Sequence, residues 1–387
     1  MILCPQCPQF YDRNDIALVD VGGNHLEGRR WGLLREDAVS RLPGFIRSRI
    51  ANVRIREARA RLEGVASWKC PHGHHLPDDF VTTPTVVIGL LGPPFTMKTT
   101  YLGQLISALV ERDALGRLGL TFAFADNASR AEYTVKMAAR LERRRAPLAT
   151  PLLAHDGEVT APIVLRMSGQ RGIDAQRKKV NLLFFDVAGE GTLDPQTMAQ
   201  DNTFLHVMNA AMLFVTPRAL LLPAEAPEPV GDEGLGPRQT ITVFDHLAQA
   251  LQQHPRYTGK YPPRDLPIAL ILAKADQLRP LMNSEFPGLP LDETFLVDTD
   301  DKLDAVGEVP YDELMRLGGQ SLVTRLFQLT EARSIHAVSA MGGDPEPAEM
   351  GSVGDPVFVE VRPWHVVDPL LALLYQLNLI GRSDAGA

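Results

Sequence analysis

Cysteine is scarce: three residues in 387, an odd number, the last of them Cys70. That excludes a disulfide framework and fits a reducing, cytoplasmic setting. No apolar run approaches the roughly 20 residues that a membrane-spanning helix needs, so no span is expected. The opening MILCPQCP has no basic segment followed by an apolar one, and no secretory leader is expected from it. Positive charge is not in excess either. A formal net charge of −8 argues against general affinity for nucleic acid or anionic membranes. There is no internal repeat. What is present is an ordinary globular composition, 45% apolar and 22% charged, with a length that suits two to three domains.

The informative stretch is residues 85–100, TVVIGLLGPPFTMKTT. Thr85, Val86, Val87 and Ile88 read as a buried strand. It ends at Gly92, and Lys98-Thr99 opens a helical pattern. Strand, loop and helix in that order are the context of a phosphate-binding loop. The amides of Phe95, Thr96, Met97, Lys98, Thr99 and Thr100 can wrap a β-phosphate. The Lys98 ammonium reaches the β/γ oxygens, and the Thr99 hydroxyl is a Mg²⁺ ligand. Met97 stands where G-x-x-x-x-G-K-[ST] has its second glycine. Pro93 and Pro94 fall before the amides that face phosphate.

Three further strands deliver polar residues at their ends. NLLFFDVAGE (residues 181–190) carries Asp186, a second candidate for Mg²⁺, and then Gly189, whose amide can feel a γ-phosphate. IALILAKAD (residues 268–276) ends in Lys274 and Asp276. A lysine stem covers a flat base, and a carboxylate accepts from two adjacent N–H groups of guanine. IHAVSA (residues 335–340) ends in Ser339-Ala340.

In order, Gly92…Lys98-Thr99, Asp186-x-x-Gly189, Lys274-x-Asp276 and Ser339-Ala340 resemble the nucleotide motifs of a P-loop GTPase of the translation-factor/Ras-like (TRAFAC) class. The resemblance implies an α/β fold, a P-loop GTPase three-layer sandwich with a mostly parallel sheet. It implies GTP/GDP and Mg²⁺ as ligands, slow hydrolysis of GTP, and protein partners that read mobile switch loops. It also implies an ordering threonine, for which Thr150 is the candidate and Thr160 the alternative. Glu190 occupies the position of a water-orienting glutamine, and Ala273 replaces the usual Asn or Thr before Lys274. The catalytic set is therefore Lys98, Thr150 and Glu190. An ATPase would share Lys98, Thr99 and Asp186 and treat Asp276 as incidental; a nucleotide-binding scaffold would bind without turnover.

Residues 1–80 read as a separate zinc-knuckle domain, and residues 81–387 as the GTPase domain. Cys4-x-x-Cys7 and Cys70, with His74 (or His72 or His75), would make a closed tetrahedral Zn²⁺ site. Between them, residues 44–64 are expected to form an Arg-rich amphipathic helix, which could dock on acidic partners or phosphates and is the exception to the expectation against nucleic acid. Together these features resemble large bacterial GTPases with a cysteine-rich N-terminus, the double-GTPase group associated with anti-phage conflict systems. Periodicity further predicts helices over 101–112, 128–145, 240–253, 312–329 and 366–380, a helix ending near 209, strands over 118–124, 162–167 and 211–216, and loops over 217–237, 283–309 and 344–355.

Overall fold

The computed structural model describes residues 2–7, 9–12, 15–20, 66–76, 80, 83–143, 162–169, 179–187, 189–192, 203–220, 237–252, 265–278, 311–312, 314–343, 357–358 and 360–380. The expected basic helix 44–64, both switch threonines Thr150 and Thr160, and the loops 283–309 and 344–355 lie outside them. So do residues 221–236 of the loop expected over 217–237. The chain divides into two compact units, Met1–Thr83 and Pro84–Ala387. Among the described residues no helix is long and apolar enough to cross a membrane.

The first unit is built from short antiparallel pairs. β1 (Ile2–Cys4) pairs with β2 (Gln9–Tyr11), and β3 (Ala17–Asp20), β4 (Ala66–Lys69) and β5 (His75–Leu76) form a three-stranded sheet. Its buried cluster is Ile2, Cys4, Ile16, Cys70 and Leu76, with Cys7, Tyr11 and Trp68 packed against it.

The second unit is an α/β sandwich. In chain order it has β6 (Thr85–Leu91), α1 (Lys98–Ile106), β7 (Leu120–Phe124), α2 (Asn127–Tyr133), β8 (Ile163–Gly169), β9 (Lys179–Asp186) and β10 (Ala210–Val215). Then follow α3 (Pro237–Gln252), β11 (Ile268–Leu272), α4 (Gln320–Leu329), β12 (Arg333–Ala337) and α5 (Asp368–Gln376). The seven strands lie in the order β12-β11-β10-β6-β9-β8-β7. Pairing is parallel from β12 through to β9, while β8 is antiparallel to both its neighbours. Every residue of β10 and β11 is buried, the near-continuous apolar pattern of parallel strands covered on both faces.

On one face Leu102, Leu105 and Ile106 of α1, with Leu370, Leu371 and Leu374 of α5, join the apolar cluster over Ile88, Leu90, Phe184, Met212 and Phe214. Tyr101 stands edge-on to Phe214, ring centres 5.1 Å apart, and ties α1 to β10. On the other face Phe204 and Met208 press against Gly89, where a Cβ would lie 2.8 and 2.7 Å from them. A side chain at 89 would push both aside.

Several expected elements are shorter than their periodicity. The helix expected over 312–329 is interrupted: Gly318 turns left-handed at φ 84, Gly319 N donates to Leu314 O, and α4 begins afresh at Gln320. The strand expected from 118 starts at Leu120, after a 3₁₀ turn (Gly116–Leu118) capped by Gly119 at φ 73. Where a helix was expected up to 209, the described part is a 3₁₀ turn, Thr203–His206.

Candidate functional site

The site follows from topology. From β6 the chain runs to one side of the sheet for β7, β8 and β9, then returns to the other side for β10, β11 and β12. The carboxyl end of β6 is therefore the switch point where such sheets bind ligands. Gly92, Asp186, Thr216, Lys274 and Ser339 all lie at or just past the same ends of the parallel strands.

The loop from Gly92 to Met97 is held in an unusual shape. Gly92 takes φ 149, Phe95 φ 63 and Met97 φ 59. A Cβ on Gly92 would come 2.5 Å from Phe214 O, so no other residue fits there. Met97 adopts the left-handed geometry that explains why glycine is usual at this position, and its carbonyl accepts the first α1 bond, from Tyr101 N at 2.9 Å. Thr96 Oγ1 donates to Pro93 O at 2.9 Å. The Lys98 side chain is 7% exposed and folds back across the loop, with Nζ donating to Gly92 O at 2.8 Å and Pro93 O at 3.0 Å. An ammonium spanning the loop sits where phosphate oxygens would lie above a helix N-terminus.

Beside it, Thr99 Oγ1 donates to Asp186 Oδ2 at 2.5 Å. A hydroxyl and a carboxylate in contact, both oxygen donors, fit a hard divalent cation such as Mg²⁺. Gly189 packs on the phosphate loop itself: a Cβ there would fall 2.2 Å from Pro94 N. Its 3₁₀ turn, Gly189–Thr192, ends in a fully buried Thr192 whose Oγ1 donates to Gly189 O at 2.6 Å and lies 3.3 Å from Gly92 O. His246 of α3 bonds Thr192 O through Nδ1 at 3.2 Å. Sequence reading missed both residues, since a lone Thr and a helical His carry no motif. The backbone of Glu190 belongs to this turn, and its side chain lies outside the description.

The base-reading segments also meet. Lys274 turns left-handed at φ 53, and Ala275 N donates to Val338 O at 3.1 Å. Ser339 Oγ donates to Asp276 Oδ1 at 2.5 Å and accepts from Gly342 N at 2.8 Å, which aims the carboxylate. Ala340, 7% exposed, and Ala273, 6% exposed, both join the apolar cluster, so a polar side chain at 273 would have to find a partner there.

In the first unit Cys4, Cys7, Cys70 and His74 offer ligand atoms that all lie within 4.8 Å of one another. Tetrahedral zinc at ordinary bond lengths sets sulfurs about 3.8 Å apart and sulfur about 3.5 Å from nitrogen. Cys7 Sγ–Cys70 Sγ is 3.9 Å, Cys70 Sγ–His74 Nδ1 3.5 Å and Cys4 Sγ–His74 Nδ1 3.8 Å. The residues fit zinc. Gly73 at φ 83 allows the tight turn in which Cys70 N donates to His74 O at 3.0 Å, and this turn selects His74. His72 instead meets the Tyr11 hydroxyl through Nδ1 at 2.7 Å, and His75 lies exposed on β5. Tyr11, another residue that no motif announces, also stands 3.0 Å from Cys7 Sγ. Burial pushes the Cys4 and Cys7 thiols up, so a cation is what would make this cluster anionic.

No protein-family model matches the chain, and no curated protein does. Among solved structures, translation elongation factor SelB from Methanococcus maripaludis, in complex with the GTP analogue GppNHp, is similar at 11% identity and a TM-score of 0.26. That match covers 67% of this chain and 30% of SelB, so the chain spans less than a third of that protein's length. The Arl6 BBS3 small GTPase from Trypanosoma brucei, with bound GppNp, is similar at 12% identity and a TM-score of 0.27, over 66% of this chain and 87% of its own. Likenesses of this size carry no inference here; the chain's own strand order and loop contacts do.

Proposed function

We propose that the chain is a GTP-binding switch that hydrolyses GTP slowly and passes its nucleotide state to a protein partner. One observation carries the reading. The Lys98 loop, the Thr99–Asp186 contact and the Ser339–Asp276 contact meet at the carboxyl ends of one parallel sheet. Lys98 and the amides of Phe95 to Thr100 hold the phosphates, Asp276 reads guanine, and Lys274 covers the base. Thr99 and Asp186 would hold Mg²⁺, with Thr150 as a further oxygen ligand. The cation, when bound, neutralises charge on the β- and γ-phosphates.

Water attacks the γ-phosphorus, the bond to the bridging oxygen breaks, and GDP and phosphate leave. Glu190, as a carboxylate, accepts a hydrogen bond from that water and has no proton to donate to the γ-phosphate; the water's proton leaves with the phosphate product. Turnover is accordingly slow until a partner adds a positive group. In the N-terminal unit Cys4, Cys7, Cys70 and His74 would hold a structural zinc, four protein ligands that leave no open position. A zinc unit joined to a GTPase unit supports a place in the bacterial double-GTPase group and in a multi-protein conflict system of the cytoplasm. Competition among GTP, GDP and ATP for the purified protein tests the reading. GTP and GDP are expected to displace a bound fluorescent guanine nucleotide, and ATP is not; displacement by ATP at equal concentration would overturn the guanine reading and favour the ATPase alternative.

A further inference from the structure

The base-reading loop is gripped by a segment with no motif of its own. Residues 362–364 run antiparallel beside Ser339–Met341: Trp364 N donates to Ser339 O at 2.9 Å, Ser339 N to Trp364 O at 3.2 Å, and Arg362 N to Met341 O at 3.0 Å. Gly342, at φ 87, lies so close that a Cβ would fall 2.2 Å from Arg362 O. Directly after Trp364 the chain must turn from this extended pairing into α5, which begins at Asp368.

His365 makes that turn at φ 55, a conformation that histidine adopts only at a cost. Its Nδ1 lies 2.7 Å from Asp368 Oδ2, and the two residues are 3% and 1% exposed. Val366, Val367, Leu370 and Leu371, beside them in the chain, are buried as well, and the buried Tyr101 and His336 lie within electrostatic reach of Asp368. A buried polar pair of this kind adds little net stability over an apolar pair of the same volume; what it can add is a fixed geometry.

We propose that His365 and Asp368 are positioning residues for guanine selectivity. The pair fixes the turn, the turn fixes Trp364, Trp364 fixes Ser339, and Ser339 Oγ aims Asp276. The inference rests on the guanine reading of Asp276 given above. No residue of the pair touches nucleotide; both act through the Ser339–Asp276 bond.

The test compares GDP with IDP, whose base lacks the exocyclic amine that Asp276 accepts from. The ratio of their affinities reports that one contact and is unmoved by a general loss of folded protein. The parent chain is expected to favour GDP by about tenfold or more, the size of a hydrogen bond to a charged group. His365→Gly suits φ 55 while deleting the imidazole, and Asp368→Asn keeps the side chain's volume. Both are expected to lower the ratio by at least about threefold, with IDP affinity retained. In a Ser339→Ala background neither should lower it further, because the pathway is already cut.

A parent-like ratio in both variants would overturn the inference, as would an equal loss of GDP and IDP or an additive loss in the Ser339→Ala background. A parent chain that binds GDP and IDP equally would instead overturn the guanine reading of Asp276, and this inference with it.

Discussion

Met97 holds its backbone at φ 59, which costs an L-residue about 1 kcal/mol or more and costs glycine little. Met97→Gly is therefore expected to bind nucleotide at least as tightly as the parent in a fluorescence titration. Met97→Val puts a branched Cβ in the same geometry and is expected to bind more weakly. The Lys98 ammonium spans the loop carbonyls of Gly92 and Pro93. Lys98→Ala should lose at least about tenfold in affinity, from a charge-assisted contact worth about 1.5–3 kcal/mol; unchanged affinity would remove the phosphate-loop assignment. Lysine, threonine and aspartate at strand ends were legible because apolar β-branched runs announce where a strand stops. Which histidine joins the cysteines was not legible. The spacing admits His72, His74 and His75 alike, and only the Gly73 turn brings His74 Nδ1 to Cys70.

Among the elements, the Gly189–Thr192 turn and the phosphate loop form one contact surface. A methyl group at position 189 would overlap Pro93 and Pro94, so Gly189→Ala should drive the two apart. The expected result is weaker GTP binding with native circular dichroism; parent-like binding would show that the contact is incidental. The β1–β5 unit rests on its cysteine cluster in the same way. Among the described residues, Cys4 and Cys70 are both ligands at zinc spacing and members of the buried cluster with Ile2, Ile16 and Leu76. One zinc per chain is expected by metal analysis, and Cys70→Ser or a chelator should expose residues 1–83 to hydrogen exchange while the second unit stays protected. The parallel strands could be read from sequence, but the pairing of Trp364 with Ser339 could not. EVRPWH has no sustained strand alternation, its Pro363 reads as a breaker, and its partner lies in another part of the chain.

At the scale of the whole second unit, one sheet organises both stability and recognition. His336 on β12 is 2% exposed, and burial lowers its pKa from 6.5 to about 4. The unfolded chain therefore binds a proton between those values that the folded chain refuses. Stability from this residue is complete above pH 6.5, declines as pH falls toward 4, and levels off below, with a slope on the order of 1 kcal/mol per pH unit. Urea unfolding across that range should show the decline, and His336→Gln should flatten it. The sheet order itself was only partly legible: alternation of strands and helices implies a parallel α/β sheet, but the extra strand β7 beyond the antiparallel β8 was set by pairing that no local pattern reveals. The same sheet brings Asp276 and Ser339 together just past strands β11 and β12, where the pair reads guanine in the proposed function. Asp276→Asn tests it most directly, because an amide pairs one donor and one acceptor with xanthine and mismatches guanine. Measured by competition binding, the variant should lose GTP, gain XTP and remain indifferent to ATP. Parent-like GTP binding by the variant would contradict the account.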